Sequence, residues 1–384
     1  MTYTRVAKII LIFLFVFAAA LGLARSALSP EIPEQVFRNN NSNNSSLEDY
    51  FKAAQTLAPQ SDNSVSFNAV GDIMLSREVA GKIDKANDPL LPFRSMGQIL
   101  TSADFNFGNL ESPITKGTQY IFENQFTFNA PEEFARGLAT YNFKVLSLAN
   151  NHAADQGPEG LKLTKTILEQ WGLSPIGSGA SRTEAWTEKI IEVHGIRIGF
   201  VAAGYGVNRG GLGNEQFIAL LKETTELENS INRVKTYSDY IVVSMHAGTE
   251  YTRTPNKAQT DFARAAIDAG ADMVIGAHPH WIQPIEQYKG KYIFYSLGNF
   301  IFDQEWSQDT KEGLALKITV YSDQVTGAGT RGDQLQGQPI KATLNSIELI
   351  PVIIENYSTP RPANEDETTR ILKKINQPDT TLFP

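Results

Sequence analysis

The chain has 384 residues, of which 41% are hydrophobic and 20% charged, a balance that suits a folded protein and excludes wholesale disorder. Its 34 basic and 42 acidic residues give 34 − 42 = −8, which supplies no broad basic surface and excludes nucleic acid as a partner. The absence of cysteine excludes a disulfide scaffold, a thiolate zinc site, an iron–sulfur cluster and a cysteine nucleophile, and leaves the compartment open.

Arg5 and Lys8 precede an uninterrupted apolar run, Ile9 to Ala24. This is the charged and apolar pattern of an export signal. Arg25 directly after the run makes Ala24-Arg25-Ser26 a poor cleavage site, so residues 1–27 read as an uncleaved signal-anchor, with a cleaved signal peptide as the alternative. Either way, the bulk of the chain is expected outside the cytoplasm, single-pass and membrane-attached if uncleaved. Residues 28–64 are proline- and acid-bearing, then rich in Asn and Ser, and read as a flexible tether.

From residue 65 to 384 the pattern is that of one α/β domain. Strands are expected at Val65–Val70, Phe105–Phe107, Lys144–Leu148, Ile190–Val193, Ile196–Ala202, Tyr240–Met245, Met273–Ile275, Tyr292–Ser296, Leu314–Val320 and Ser346–Ile354. Helices are expected at Glu132–Tyr141, Pro158–Trp171, Asn214–Thr236 and Lys257–Ala269, with Gly172 and Gly270 as stop signals just past two of them. A C-terminal strand and helix complete the domain. The alternation implies a mostly parallel sheet with helices on its faces. Ser322–Gln338 reads as a long exposed loop, Arg209–Gly213 as an ordinary flexible loop, and the aromatic run Phe122–Phe128 as core.

Ligand groups in such folds collect at the carboxyl ends of strands. Here the strand exits carry Gly71-Asp72, Asn109-Leu110-Glu111, Asn150-Asn151-His152 with Asp155, His246-Ala247-Gly248, and His278-Pro279-His280. Four of the five histidines therefore follow a strand; only His194 sits elsewhere, beside Gly195 in an expected hairpin turn. Imidazole, carboxylate and amide oxygen without thiolate suit Mn, Fe, Zn or Co. Ligands beyond four suggest two divalent ions sharing a carboxylate, although a single ion also fits the set. The spacing does not decide whether Asn109 or Glu111 reaches a metal. Glu250 and Tyr251, close behind His246, and Asn299 and Asp303, behind an apolar strand, are candidate pocket or supporting residues.

At these positions the sequence resembles the CapA/PgsA family of bacterial capsule or poly-γ-glutamate synthesis proteins. The resemblance runs in order through Gly71-Asp72-Ile73-Met74-Leu75, Gly108-Asn109-Leu110-Glu111, Asn150-Asn151-His152, His246-Ala247-Gly248-Thr249-Glu250-Tyr251, Gly276-Ala277-His278-Pro279-His280 and Ser296-Leu297-Gly298-Asn299-Phe300. That family is in turn similar to calcineurin-like metallophosphoesterases, which implies a four-layer α/β/β/α sandwich. The resemblance implies Asp72 and His280 on a first ion, Glu111 as the bridge, and Asn151, His246 and His278 on a second. It implies His152 as general acid, oriented by Asp155. Met74 departs from the superfamily pattern, which places a histidine ligand there. The resemblance also implies an anionic surface polymer or its fragments, and membrane subunits of a synthesis complex, as partners. A metal-dependent hydrolase of a phosphoester or γ-glutamyl bond is the expected activity; a non-catalytic scaffold of capsule assembly and a metal-free binding module are the alternatives.

Overall fold

The computed structural model describes residues 63–116, 126–208, 217–325 and 339–384. The signal-anchor, nearly all of the tether, Phe122, the Arg209–Gly213 loop and most of 322–338 lie outside them.

The chain starts one sheet, builds a second, and returns to finish the first. β1 (Ser64–Ile73), β2 (Phe105–Leu110), β3 (Phe143–Ser147) and β4 (Ser174–Ile176) run parallel as neighbours. The second sheet takes β5 (Lys189–Val193), β6 (Ile196–Gly204), β7 (Tyr240–His246), β8 (Met273–Ala277), β9 (Ile285–Tyr288) and β10 (Lys291–Phe294), in spatial order β9-β10-β8-β7-β6-β5. β11 (Asn299–Ile301) then rejoins the first sheet beside β1, followed by β12 (Glu312–Tyr321), β13 (Thr343–Glu355), β14 (Thr359–Pro362) and β15 (Thr381–Leu382).

The mostly parallel sheet expected from the alternation is corrected to two mixed sheets. β12 runs antiparallel to β1, and β13 to β12, while β5–β6 and β9–β10 are hairpins. The two-residue turns of the β5–β6 and β9–β10 hairpins cannot make the crossover that parallel neighbours require. His194 and Gly195 sit in the β5–β6 turn, both at positive φ (50° and 73°), as expected.

Strand periodicity shows why β6, β7 and β8 read as continuous apolar runs: both faces are buried. Ile198, Phe200, Val242 and Ile275 belong to the core shared with the first sheet, where Phe200 meets the rings of Phe67, Phe105 and Phe107 at 5.9, 6.0 and 5.4 Å. The alternate residues, Val201, Val243, Met245 and Val274, pack instead with α5 (Thr224–Val234) and α6 (Lys257–Ala269), through Leu227, Ile231, Phe262 and Ala266. α6 has the expected bounds because both ends are specified. Asn256 and Gln259 form a capping box, and Gly270 closes it at φ 119°. The helix expected from Asn214 starts only at Thr224, since Phe217–Ile218 pairs as a strand with Ser178–Gly179.

Against the first sheet lie α1 (Arg77–Ala86), α2 (Gly97–Thr101), α3 (Ala135–Thr140) and α4 (Gly157–Gln170), with α7 (Glu365–Lys374) beside β13. Asn68 and Asn106 donate to the α2 carbonyls of Ile99 and Leu100, each at 2.9 Å. The stretch Glu132–Tyr141 is split, with a 3-10 turn over Glu132–Phe134 before α3.

Candidate metal centre

The carboxyl ends of strands from both sheets meet at one place. Asp72 lies near the end of β1, Glu111 one residue past β2, and Asn150–His152 in the turn after β3. His246 ends β7, and His278 and His280 follow β8. The segment between β10 and β11 stitches the sheets together here. Leu297 N–H donates to Gly276 O (3.0 Å), and Asp72 N–H donates to Gly298 O (3.0 Å). The approach is so close that a Cβ at position 71 would stand 1.9 Å from Gly298 O, so only glycine fits.

Two groups of ligand atoms result, each with all atoms within 4.8 Å of one another: Glu111, His246 and His278, and Asp72, Glu111 and His280. Glu111 belongs to both. Asn151 joins the first group, its Oδ1 accepting from His246 Nε2 at 2.7 Å. Every residue in this set is buried.

Burying polar atoms without partners costs free energy, about 1–3 kcal/mol each. Among the described residues, neither oxygen of Glu111 receives a hydrogen bond, and His246 Nδ1 and His278 Nδ1 are also unpartnered. The group crowding Glu111 is another carboxylate, Asp72. Burial first, then the charges of Asp72, Glu250 and Asp155, push the Glu111 carboxyl well above the usual carboxylate range. Burial and the neighbouring imidazoles hold His246 well below the usual histidine range, and His278 down to about 3. Neutral imidazoles and a carboxyl in want of a counter-charge are the state that a divalent cation satisfies. The donor set therefore fits a metal.

Asn109 and Glu111 now separate. Asn109 Nδ2 donates to Asp72 Oδ1 (2.8 Å), and its Oδ1 accepts from Asn150 Nδ2 (3.2 Å), so Asn109 holds the Asp72 carboxylate in place. His278 N–H donates to the other Asp72 oxygen at 3.2 Å. Asn299 Oδ1 accepts from His280 Nδ1 (2.9 Å), while its amide donates to Thr310 O (2.9 Å) and Gln304 Oε1 (3.1 Å). Met74 is packed in the core, where its Sδ accepts from Ser76 N–H at 3.0 Å. His278 and His280 hold positive φ (98° and 58°), a conformation that costs energy and is kept by the surrounding contacts.

His152 stands beside the two groups. Its Nδ1 donates to Asp155 Oδ2 (2.8 Å), which also accepts from Phe128 N–H (2.7 Å). Its ring stacks on Phe128 at 3.9 Å, and Asn208 Nδ2 lies 3.4 Å from its Nε2. Phe128 is core, as expected for the aromatic run, but Phe126 is not: it is exposed and lines the cleft. That cleft, of 810 Å³, also includes His152, His280, Glu250, Tyr251 and Trp306 in its lining. Asp303 contributes to the wall by pairing with Arg77, whose Nε donates to Oδ2 at 3.1 Å, and by accepting from Glu78 N–H at 3.1 Å. Arg77, Asn208 and Trp306 carry no sequence signal of their own. Arg77 does stand in the same strand exit as Asp72.

The bacterial capsule synthesis protein family PGA_cap matches residues 66–304, a stretch that contains both ligand groups and the His152–Asp155 pair. The chain belongs to this family. The PGA_cap chain is 35% identical over 258 residues to the PGA biosynthesis protein CapA of Bacillus subtilis (strain 168), covering 66% of this chain and 67% of that one. It is 30% identical over 276 residues to the capsule biosynthesis protein CapA of Bacillus anthracis, covering 69% and 67%. Among solved structures, a phosphatase of Mycoplasma pneumoniae aligns with a TM-score of 0.45 at 11% identity, over 82% of this chain and 99% of that one. Among the described residues, no helix of this PGA_cap protein is long and apolar enough to cross a membrane; the Ile9–Ala24 run lies outside them.

Proposed function

We propose that this PGA_cap protein is a metal-dependent hydrolase of capsule or poly-γ-glutamate biosynthesis, with the superfamily's four-layer sandwich as its frame. The observation that carries the reading is Glu111, a buried carboxylate without a donor among the described residues, shared by two ligand groups. Glu111, His246, His278 and Asn151 would hold one divalent ion, and Asp72, Glu111 and His280 the other. Bound there, Mn, Fe, Zn or Co supplies Lewis acidity and lowers the pKa of water.

The remaining chemistry belongs to the chain. Asp155 accepts from His152 Nδ1, which fixes the ring and directs Nε2 towards the cleft side, where Asn208 lies. In this reading, protonated His152 gives its Nε2 proton to the leaving group. Phe128, stacked on the ring, keeps water from one face. The substrate is a phosphoester or a γ-glutamyl amide of an anionic surface polymer. The N-terminal apolar run would anchor the domain outside the cytoplasm, near membrane subunits of the synthesis complex; protease accessibility in intact cells tests this.

Elemental analysis of the full chain and of His246→Ala and His280→Ala tests the centre. About two ions per chain are expected, falling to about one or none in the variants, with loss of metal-dependent turnover. Unchanged metal content and turnover in both variants refute the reading.

A second reading, a non-catalytic scaffold, is favoured by Met74, which is packed in the core where the superfamily has a ligand. His152→Ala separates the two. A scaffold retains capsule deposition in that variant, whereas a hydrolase loses it.

A further inference from the structure

The charge of the cleft wall does not match a ligand made of carboxylates alone. Among the described residues, its charged lining consists of Arg77, Glu78, Glu250 and Asp303. Arg77 is committed to Asp303 through two parallel hydrogen bonds. Glu78 and Glu250 are exposed, and neither makes an ion pair among the described residues. Among the described residues the wall therefore presents uncompensated negative charge, in a cleft whose lining includes His280 of the second ligand group, where bound ions would attract anions.

Beside Glu250 the wall is aromatic. Tyr251 meets Trp306 edge-to-face at 4.8 Å, and Trp306 is 62% exposed. The Tyr251 ring also lies 5.9 Å from His280, so the aromatic wall reaches down to a ligand of the centre. Tyr251 is held at φ 59°, and Gln304 Nε2 donates to its hydroxyl at 3.2 Å. Left-handed backbone at a non-glycine residue is strained, and it is retained here beside the site. Burial and Glu250 push the Tyr251 hydroxyl up to about 12, so it stays neutral and leaves the acidic charge of the wall unchanged.

An exposed carboxylate next to aromatic faces is a receptor for an ammonium group, by ion pairing and cation–π attraction together. We propose that the cleft recognises a zwitterionic ligand, with its anionic or acyl centre directed at the two ligand groups and an ammonium group held by Glu250 against Tyr251 and Trp306. This rests on the metal-centre reading above and adds the class of ligand to it. An internal stretch of an all-carboxylate polymer fits this wall poorly; an amine-bearing end or an aminoalkyl phosphate fits it well.

The test is a matched pair of probes, phosphoethanolamine and n-propyl phosphate, which share a phosphate and differ in the ammonium. Binding to the full chain is measured by calorimetry and by quenching of tryptophan fluorescence, with metal content measured on the same samples. The ammonium probe is expected to bind about tenfold more tightly, with the preference shrinking as salt is added. Glu250→Gln should abolish the preference, and Trp306→Ala should reduce both the preference and the fluorescence change. Equal affinities, a preference that survives in Glu250→Gln, or no binding of either probe to metal-loaded protein overturns the proposal. Wild-type protein that takes up no ion overturns the metal-centre reading itself, and this proposal with it.

Discussion

Glu111→Gln keeps the shape of the side chain and removes its charge. In the metal-free protein Glu111 is fully buried, has no donor among the described residues, and faces Asp72. Its folded pKa is raised above its unfolded value, so the sign is set. Metal-free stability is greatest below the unfolded pKa and is lost as pH rises towards the folded one. The loss is bounded, because holding any carboxyl neutral at about pH 7.5 costs at most ~1.36 × (7.5 − 4.3), or roughly 4 kcal/mol. A glutamine carries no such cost, and its amide can donate to Asp72. Metal-free Glu111→Gln should therefore be more stable than wild type by about 1–4 kcal/mol, at roughly 2 °C of Tm per kcal/mol. Added Mn, Zn or Co should reverse the order. Wild type gains about 4.1 kcal/mol at a thousandfold excess over Kd, while the variant, lacking the shared carboxylate, gains little. Thermal melts with chelator and with each ion read both effects. A variant that is less stable in chelator and still responds to metal as wild type does would refute the assignment of Glu111 as the shared ligand.

Metal affinity should fall as pH drops through the raised pKa of Glu111, because a proton then competes for its oxygens. His278, held at about 3, and His246, held well below its usual range, compete only in stronger acid. Calorimetry in buffers of different ionisation heat should show proton release on ion binding that grows as the pH is lowered. Asn299→Ala, which frees the His280 ring from its acceptor at 2.9 Å, should weaken ion binding by roughly 10–100-fold, and should also lower the stability of the metal-free protein by about 1–3 kcal/mol because Thr310 O and Gln304 Oε1 lose the Asn299 amide. Phe200→Ala removes the ring that meets Phe67, Phe105 and Phe107 between the sheets, and should cost about 3–5 kcal/mol in denaturant unfolding.

Elements whose ends carry their own chemistry are legible in the chain. α6 is read with its bounds because Asn256, Gln259 and Gly270 specify them locally. The exits bearing Asp72, Asn150–His152, His246 and His278–His280 are legible for a similar reason: apolar runs end abruptly in residues that packing alone does not call for. α1 is not, since Arg77 opens it at φ 50° straight from a strand exit and only Val79 and Ile83 mark its buried face.

What the sequence by itself determined is the set of strand exits and the chemistry each one carries, because both depend on residues a few positions apart. Tertiary structure alone decided the rest. It divided the strands between two sheets, since membership follows from hairpins and a return strand that local pattern does not encode. It chose Glu111 over Asn109, because the Asn109 amide is spent on Asp72 from the neighbouring strand. It turned Met74 into the core, and it paired Arg77 with Asp303 across 226 positions. Such contacts arise only when distant strand ends are brought within a few ångströms, and no local periodicity records which side chains will meet there.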